Sequence, residues 1–145
     1  SMMEPQLRQR QVVITRTLPD QPVMIYGDRM RLEQVIINLL RNALDATKMA
    51  PEPSVEILLV QGDVARLSVR DNGSGIEDLD ELFEPFYTTK QAGDGTGLGL
   101  AISSGIVNDF GGRLLARNSV KGGAVFEVEL PSLKPDTNQN IEAVE

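Results

Sequence analysis

From Asp71 to about Thr96 the chain is rich in Gly, Asp and Thr and shows no sustained apolar periodicity. A connection that long, against a usual length of roughly 4–6 residues, carries function more often than not, and it leaves the core to be built by the segments on either side. Before it, Val12, Ile14 and Arg16 alternate with Val13 and Thr15 as in a strand, and Val23 to Tyr26 follows Pro22 as a short second one. Gly27-Asp28 reads as a helix entry with Asp28 as N-cap, and Arg29 to Lys48 has helical periodicity. Leu32, Val35, Ile36, Leu39, Leu40, Ala43 and Leu44 form one wide apolar arc, suited to lie on a sheet. Pro51 and Pro53 end that helix, and Val55 to Val60 and Leu67 to Arg70 read as a hairpin turning at Gly62-Asp63. After the long loop, a second helix is expected from near Gly97 to Phe110, stopped by Gly111-Gly112. Two strands follow, Leu114 to Arg117 and Ala124 to Leu130, joined through Lys121-Gly122-Gly123. Hairpin connections around two long helices predict an α+β fold, a two-layer α/β sandwich with a mixed, mostly antiparallel sheet and its helices on one face. One domain over residues 11–131 is expected, with a linker at 1–10 and a polar, disordered tail at 132–145.

Composition removes several classes of function. Net charge is -7 and Lys and Arg form no run, so the electrostatic footprint of a nucleic-acid binder is missing. With no cysteine there is no disulfide framework, no thiolate nucleophile and no sulfur-ligated zinc. No apolar stretch approaches the ~18 residues of a membrane span, and no charged-then-apolar leader opens the chain. Ser1-Met2 ahead of another Met reads as a remnant of expression, so a longer parent protein is expected.

Four short blocks carry the chemistry: Asn38-Leu-Leu-Arg-Asn42, Asp71-Asn-Gly-Ser-Gly75, Phe83-Glu-Pro-Phe86 and Gly95-Thr-Gly-Leu-Gly99. On the first helix Arg31, Gln34, Asn38, Asn42 and Asp45 fall within about 80° of one another, a polar stripe beside the apolar arc. A solvated face is the bland reading, with about even odds for Arg31 and Gln34. Asparagine, however, is a poor helix former, and two of them stand mid-helix at i and i+4. Neutral amide oxygens suit Mg²⁺, which keeps several waters and shares substrate phosphates; Asn42 is the first choice as ligand, with Asn38 a second contact to metal or phosphate. Asp71 ends a strand, and a period of two puts it on the inward face with Leu67 and Val69. A carboxylate there needs donors, and the exocyclic amine of adenine is one of the right kind. Taken alone, an Asx-turn onto its own Asn-Gly-Ser-Gly backbone is the more frequent explanation. Gly73 and Gly75 would allow positive φ and close approach of a flat base.

Gly93, Gly95, Gly97 and Gly99 alternate ahead of the second helix, so main-chain N–H groups from Gly95, Thr96, Gly97, Leu98 and Gly99 can converge on phosphate oxygens. No Lys follows a Gly as in a P-loop, and no G-x-G-x-x-G register exists. Lys90, after Thr88 and Thr89, could reach a γ-phosphate as a point charge, and an ordinary surface lysine is about equally expected. Phe83 and Phe86 would usually be core, but two of four phenylalanines in the long loop suit latches of a mobile lid.

Together the blocks resemble the catalytic ATP-binding domain of sensor histidine kinases, in the superfamily of gyrase, the MutL repair proteins and the heat-shock chaperone ATPases. The resemblance runs from about Gly27 to Pro131. Asn38 to Ala46 matches the family's N box, Asp71 to Gly75 its first glycine box, Leu82 to Phe86 its F box, Gly95 to Ile102 its second glycine box and Gly122 to Phe126 its closing one. It implies the Bergerat fold with a flexible ATP lid, ATP and Mg²⁺ as cofactors, and transfer of the γ-phosphate to a histidine of a helical dimerisation domain. By that resemblance Asn42 holds Mg²⁺, Asp71 reads adenine with Ile76 beside it, the second glycine box wraps the phosphates, and Thr88, Thr89 and Lys90 belong to the lid, Lys90 joining Asn42 in catalysis. The chain has no histidine, so the phosphoacceptor must lie outside it. A response regulator downstream, a homodimeric parent with a monomeric isolated domain, and a cytoplasmic position in a membrane-bound bacterial sensor are further implications. Many of these kinases carry Lys or Arg three residues after the metal-binding Asn; here Asp45 fills that place among the ATP-binding residues, and the extra phosphate contact of a cation is not implied. Asn-Ala-Leu-Asp-Ala, Phe-Glu-Pro-Phe-Tyr-Thr-Thr-Lys and Ile106-Val-Asn-Asp-Phe-Gly-Gly112 resemble the nitrogen-regulation and C4-dicarboxylate sensor branch.

Two other functions fit parts of the pattern. A gyrase- or MutL-type hydrolase shares the pocket but places a water-activating glutamate one turn before the metal-binding Asn, where this chain has Asn38. A nucleotide-binding module without transfer activity is argued against by the intact glycines and Asn42.

Overall fold

The computed structural model describes residues 11–84, 98–133 and 143–144. The amphipathic run after Gly27 forms α1 (Arg29–Ala46), and Asp28 caps it as expected, its Oδ1 accepting from the N–H groups of Met30 (2.9 Å) and Arg31 (3.4 Å). Leu32, Val35, Leu39, Ala43 and Leu44 are buried, but Ile36 is 39% exposed, so the apolar arc is narrower on that side than its periodicity predicts. The helix stops two residues short of Lys48. The fully buried Thr47 turns back on it, its N–H donating to Ala43 and Leu44 carbonyls and its hydroxyl to the Leu44 carbonyl.

Strands β1 (Val13–Thr17), β3 (Ser54–Gln61), β4 (Val64–Asp71), β5 (Arg113–Asn118) and β6 (Ala124–Pro131) make one five-stranded sheet in the order β1-β3-β4-β6-β5. β1 lies parallel to β3 and the remaining neighbours are antiparallel, which is the mixed sheet expected. The register sets Val55, Ile57, Leu59, Ala65, Leu67, Val69, Phe126, Val128, Leu130, Leu114 and Ala116 on one face. There α1 meets β4, and α2 (Gly99–Asp109) meets β5, β6 and α1, giving the α+β sandwich. Gly111-Gly112 follows α2 and ends it where the sequence predicts. Across the sheet, Glu129 accepts from Arg113 Nε and Arg66 Nε, each at 2.8 Å. Those guanidiniums, Arg113 first, hold its carboxyl below the ordinary range.

The helices are also joined at the surface. Arg31 Nη2 reaches Asp109 Oδ2 at 2.6 Å and its guanidinium lies 5.3 Å from the Phe110 ring centroid, so this member of the polar stripe is no solvated bystander. Ala143–Val144 form β7, antiparallel to β2 (Ile25–Tyr26). The short β2 offers main-chain groups that the main sheet does not use.

Candidate functional site

Strand alternation brings Asp71 to the inward face at the end of β4, where it is 2% exposed. Its Oδ1 accepts from the N–H of Gly73 (2.9 Å) and of Ala124 on β6 (3.2 Å). Oδ2 is buried and has no partner among the described residues. The two readings of this residue therefore fall on different oxygens: Oδ1 makes the Asx-turn, and Oδ2 is an unshared acceptor shut off from solvent. Burial pushes the carboxyl above its ordinary value, and the two backbone N–H groups only partly counter that. Such an acceptor is costly to leave unmade, and a ligand amine is the chemistry that fits it.

The loop after Asp71 is held on both sides. Gly73 does not take the positive φ allowed for it; a Cβ there would stand 2.1 Å from the Ala46 carbonyl oxygen, so its bareness lets the loop press on the end of α1. Gly75 does take positive φ, +88°, and Ile76 packs half-buried on the core. Asn72 donates to the Glu52 carbonyl and accepts from the Ser54 N–H, tying the loop to the start of β3. Asn118, which sequence reasoning passed over, accepts from the Ile76 N–H at 2.6 Å and donates to the Ile76 carbonyl at 3.1 Å. Its signal was available: Leu114 and Ala116 face inward, and a period of two puts an amide next.

On α1, Asn38 and Asn42 are half-buried and Gln34 is exposed. Asn38 Nδ2 donates to Ser103 Oγ at 3.1 Å and, more weakly, to the Gly99 carbonyl at 3.5 Å. That bond to a fully buried serine offsets the helix penalty of one asparagine and leaves its amide oxygen for other work. Asp45 lies 3.9 Å from Lys48 Nζ. Gly73 against Ala46 and Gly99 beside Asn38 bring the first glycine block and the start of α2 to the same helix that carries Asn42. Leu98 precedes α2 without a side-chain cap, so the first helical N–H groups receive no side-chain acceptor from it. Phe83 is half-buried against the core, next to the buried Leu82. Phe86, Thr88, Thr89, Lys90, Gly95, Thr96 and Gly97 lie outside the described residues.

Comparison with known proteins gives the family and the fold. Residues 27–134 match the family described as histidine kinase-, DNA gyrase B-, and HSP90-like ATPase. The two-component sensor PprA of Pseudomonas aeruginosa is 42% identical over 137 residues, 89% of this chain and 15% of that protein. The C4-dicarboxylate transport sensor protein DctB of the same species is 39% identical over 134 residues, 90% of this chain and 22% of that protein. The chain thus spans less than a quarter of these relatives. Among solved structures, the nucleotide-free catalytic domain of histidine kinase ThkA superposes with a TM-score of 0.78 at 32% identity, covering 90% of this chain and 85% of that one. The mycobacterial sensor histidine kinase MprB does so at 0.76 and 28%, covering 90% of each. The chain belongs to the histidine kinase-, DNA gyrase B- and HSP90-like ATPase family. Within it, this is an ATP-binding domain homologous to histidine kinase catalytic domains, and the Bergerat fold expected from its motifs is the fold it has.

Proposed function

We propose that this domain binds ATP with Mg²⁺ and donates the γ-phosphoryl group to a histidine on a separate dimerisation domain of its parent protein. The observation that carries the reading is Asp71, whose Oδ2 is a buried acceptor with no partner among the described residues in a domain of this family. In this reading Oδ2 takes the adenine amine, and Gly75 and Ile76 flank the base. The amide oxygens of Asn42 and Asn38 hold Mg²⁺, and Leu98 and Gly99, with Gly95 to Gly97, offer main-chain N–H groups to phosphate. Phe83 and Phe86 hold the lid that carries Thr88, Thr89 and Lys90. Asp45 lines the same ATP site in the place of a cation, without the extra phosphate contact that a Lys or Arg there would make. Mg²⁺ would neutralise charge on the triphosphate, and the side chains position it; little covalent chemistry falls to the domain.

The phosphoacceptor is a histidine-containing dimerisation domain, and a response regulator follows, as supported by the solved complex of histidine kinase ThkA with response regulator protein TrrA. The parent is a homodimeric bacterial sensor of the dicarboxylate or nitrogen-regulation type with this domain in the cytoplasm. Among the described residues no helix is long and apolar enough to cross a membrane. Hydrolysis is the weaker function, because Asn38 stands where a water-activating carboxylate would be needed and its amide nitrogen is engaged by Ser103. Incubated alone with Mg²⁺ and ATP, the domain should release phosphate slowly; fast, sustained turnover would refute the kinase reading.

Asn42→Ala is expected to remove most of the gain in nucleotide affinity that Mg²⁺ confers, while the fold gains a few tenths of a kcal/mol from the better helix former. Calorimetric titration with and without Mg²⁺ checks it, and an undiminished Mg²⁺ effect would exclude Asn42 as ligand. Acid should weaken binding through Asp71. Protonation at the partnerless Oδ2 turns an acceptor into a donor facing an amine, so ADP affinity falls as pH drops through the raised pKa, starting above the ordinary 3.8. The stability sign for Asp71 is opposite: a folded-state pKa above the unfolded one means that its protonation favours the fold, whereas Glu129, with its lowered pKa, loses stabilisation in acid, so thermal unfolding at each pH separates the two. IDP, whose base lacks the amine, is the control titrated over the same range.

A further inference from the structure

Asn118 stands at the end of β5, exposed, yet makes two hydrogen bonds to one residue 42 positions earlier: its Oδ1 accepts from the Ile76 N–H at 2.6 Å and its Nδ2 donates to the Ile76 carbonyl at 3.1 Å. The carboxamide thereby acts as one rung of a sheet ladder, giving main-chain partners to a loop that has no strand beside it. The loop is shaped to receive it. A Cβ on Gly75, at φ +88°, would stand 2.8 Å from Asn118 Oδ1, so a side chain there would push the amide away.

Asn118 pairs across the ladder with Ala124, whose N–H donates to Asp71 Oδ1. At the same turn Gly123, φ +83°, lies so close to Asp71 that a Cβ would meet its carbonyl oxygen at 2.0 Å. The tip of the β5–β6 hairpin thus grips the glycine block at two points: Ala124 on the carboxylate, Asn118 on the chain just past Gly75.

We propose that Asn118 is a positioning residue for the base, acting through Ile76 without touching the nucleotide. It fixes the distance between Asp71, which meets the edge of the base, and the Gly75–Ile76 backbone, which flanks it. This rests on the reading of Asp71 as the adenine acceptor. Without the clamp the fold persists, because the residue is at the rim, but the two halves of the base site drift in relation to each other.

The test compares ADP with IDP, which differ at the group Asp71 would accept from, by calorimetry on wild type, Asn118→Ala and Asn118→Asp. Wild type should prefer ADP. Asn118→Ala should lower ADP affinity about tenfold, the upper end for a neutral hydrogen bond, leave IDP within about twofold, and leave the thermal midpoint nearly unchanged. Asn118→Asp keeps the acceptor but sets a carboxylate against the Ile76 carbonyl, so it should lose the ADP preference as well; it carries the comparison if the alanine variant does not fold. Equal loss for both nucleotides, or undiminished ADP affinity, would overturn the proposal while leaving Asp71 in place. A wild type that does not distinguish ADP from IDP would instead refute the Asp71 reading, and the proposal with it.

Discussion

Asp71→Asn should abolish useful ATP binding without harming the fold. The amide would keep its oxygen on the Gly73 and Ala124 N–H groups and present an NH₂ where Oδ2 stands, so a donor would face the adenine amine. Loss of a hydrogen bond to a charged acceptor is worth about 1.5–3 kcal/mol, which puts the expected drop near a hundredfold. The fold should not suffer, because the folded-state pKa of Asp71 is raised and its ionised form at neutral pH is held at a cost in stability. Calorimetry and thermal unfolding of the same variant separate the two effects. An Asp71→Asn domain with a lower midpoint and intact affinity would make the carboxylate structural.

Gly123→Ala should act in the opposite manner, through the fold first. The residue adopts φ +83°, where a side chain costs about 1–3 kcal/mol, and its Cβ would lie 2.0 Å from the Asp71 carbonyl oxygen. Backbone, not a yielding side chain, is what it meets, so β6 has to move away from the end of β4. A loss of about 3 kcal/mol or more is expected, a fall of roughly 10 °C in the thermal midpoint for a domain this size. Because Ala124 supplies one N–H to Asp71, nucleotide affinity should decline in whatever fraction stays folded. A variant as stable as wild type would mean that the β5–β6 turn can shift freely, against the close approach described above.

Much of this was legible in the chain. Asp28 announced the start of α1, Gly62-Asp63 marked the β3–β4 turn, and alternation through Leu67 and Val69 turned Asp71 inward, because each of these rests on neighbours within a few residues. Ile36 was misjudged for the same reason: helical period gives an arc, and only the sheet beneath decides its width. What the sequence withheld is non-local. The division of labour between the two Asp71 oxygens depends on Ala124, 53 residues later, and the clamp on Ile76 depends on Asn118. The approach of Gly73 to Ala46 is a contact between a loop and a helix end that no spacing rule encodes. Pairing of Ala143–Val144 with β2 is equally long-range.

The central claim is that this domain hands a phosphoryl group to a histidine it does not contain. Its direct test mixes the domain with the dimerisation domain of its own parent protein, Mg²⁺ and ATP labelled on the γ-phosphate, and follows the label over a single turnover. The expected result is label on the partner's histidine, lost in acid and kept in base, absent with Asp71→Asn and absent when the partner is omitted. An unlabelled partner under conditions where calorimetry shows ATP bound, or label released as free phosphate at a steady rate, would contradict it.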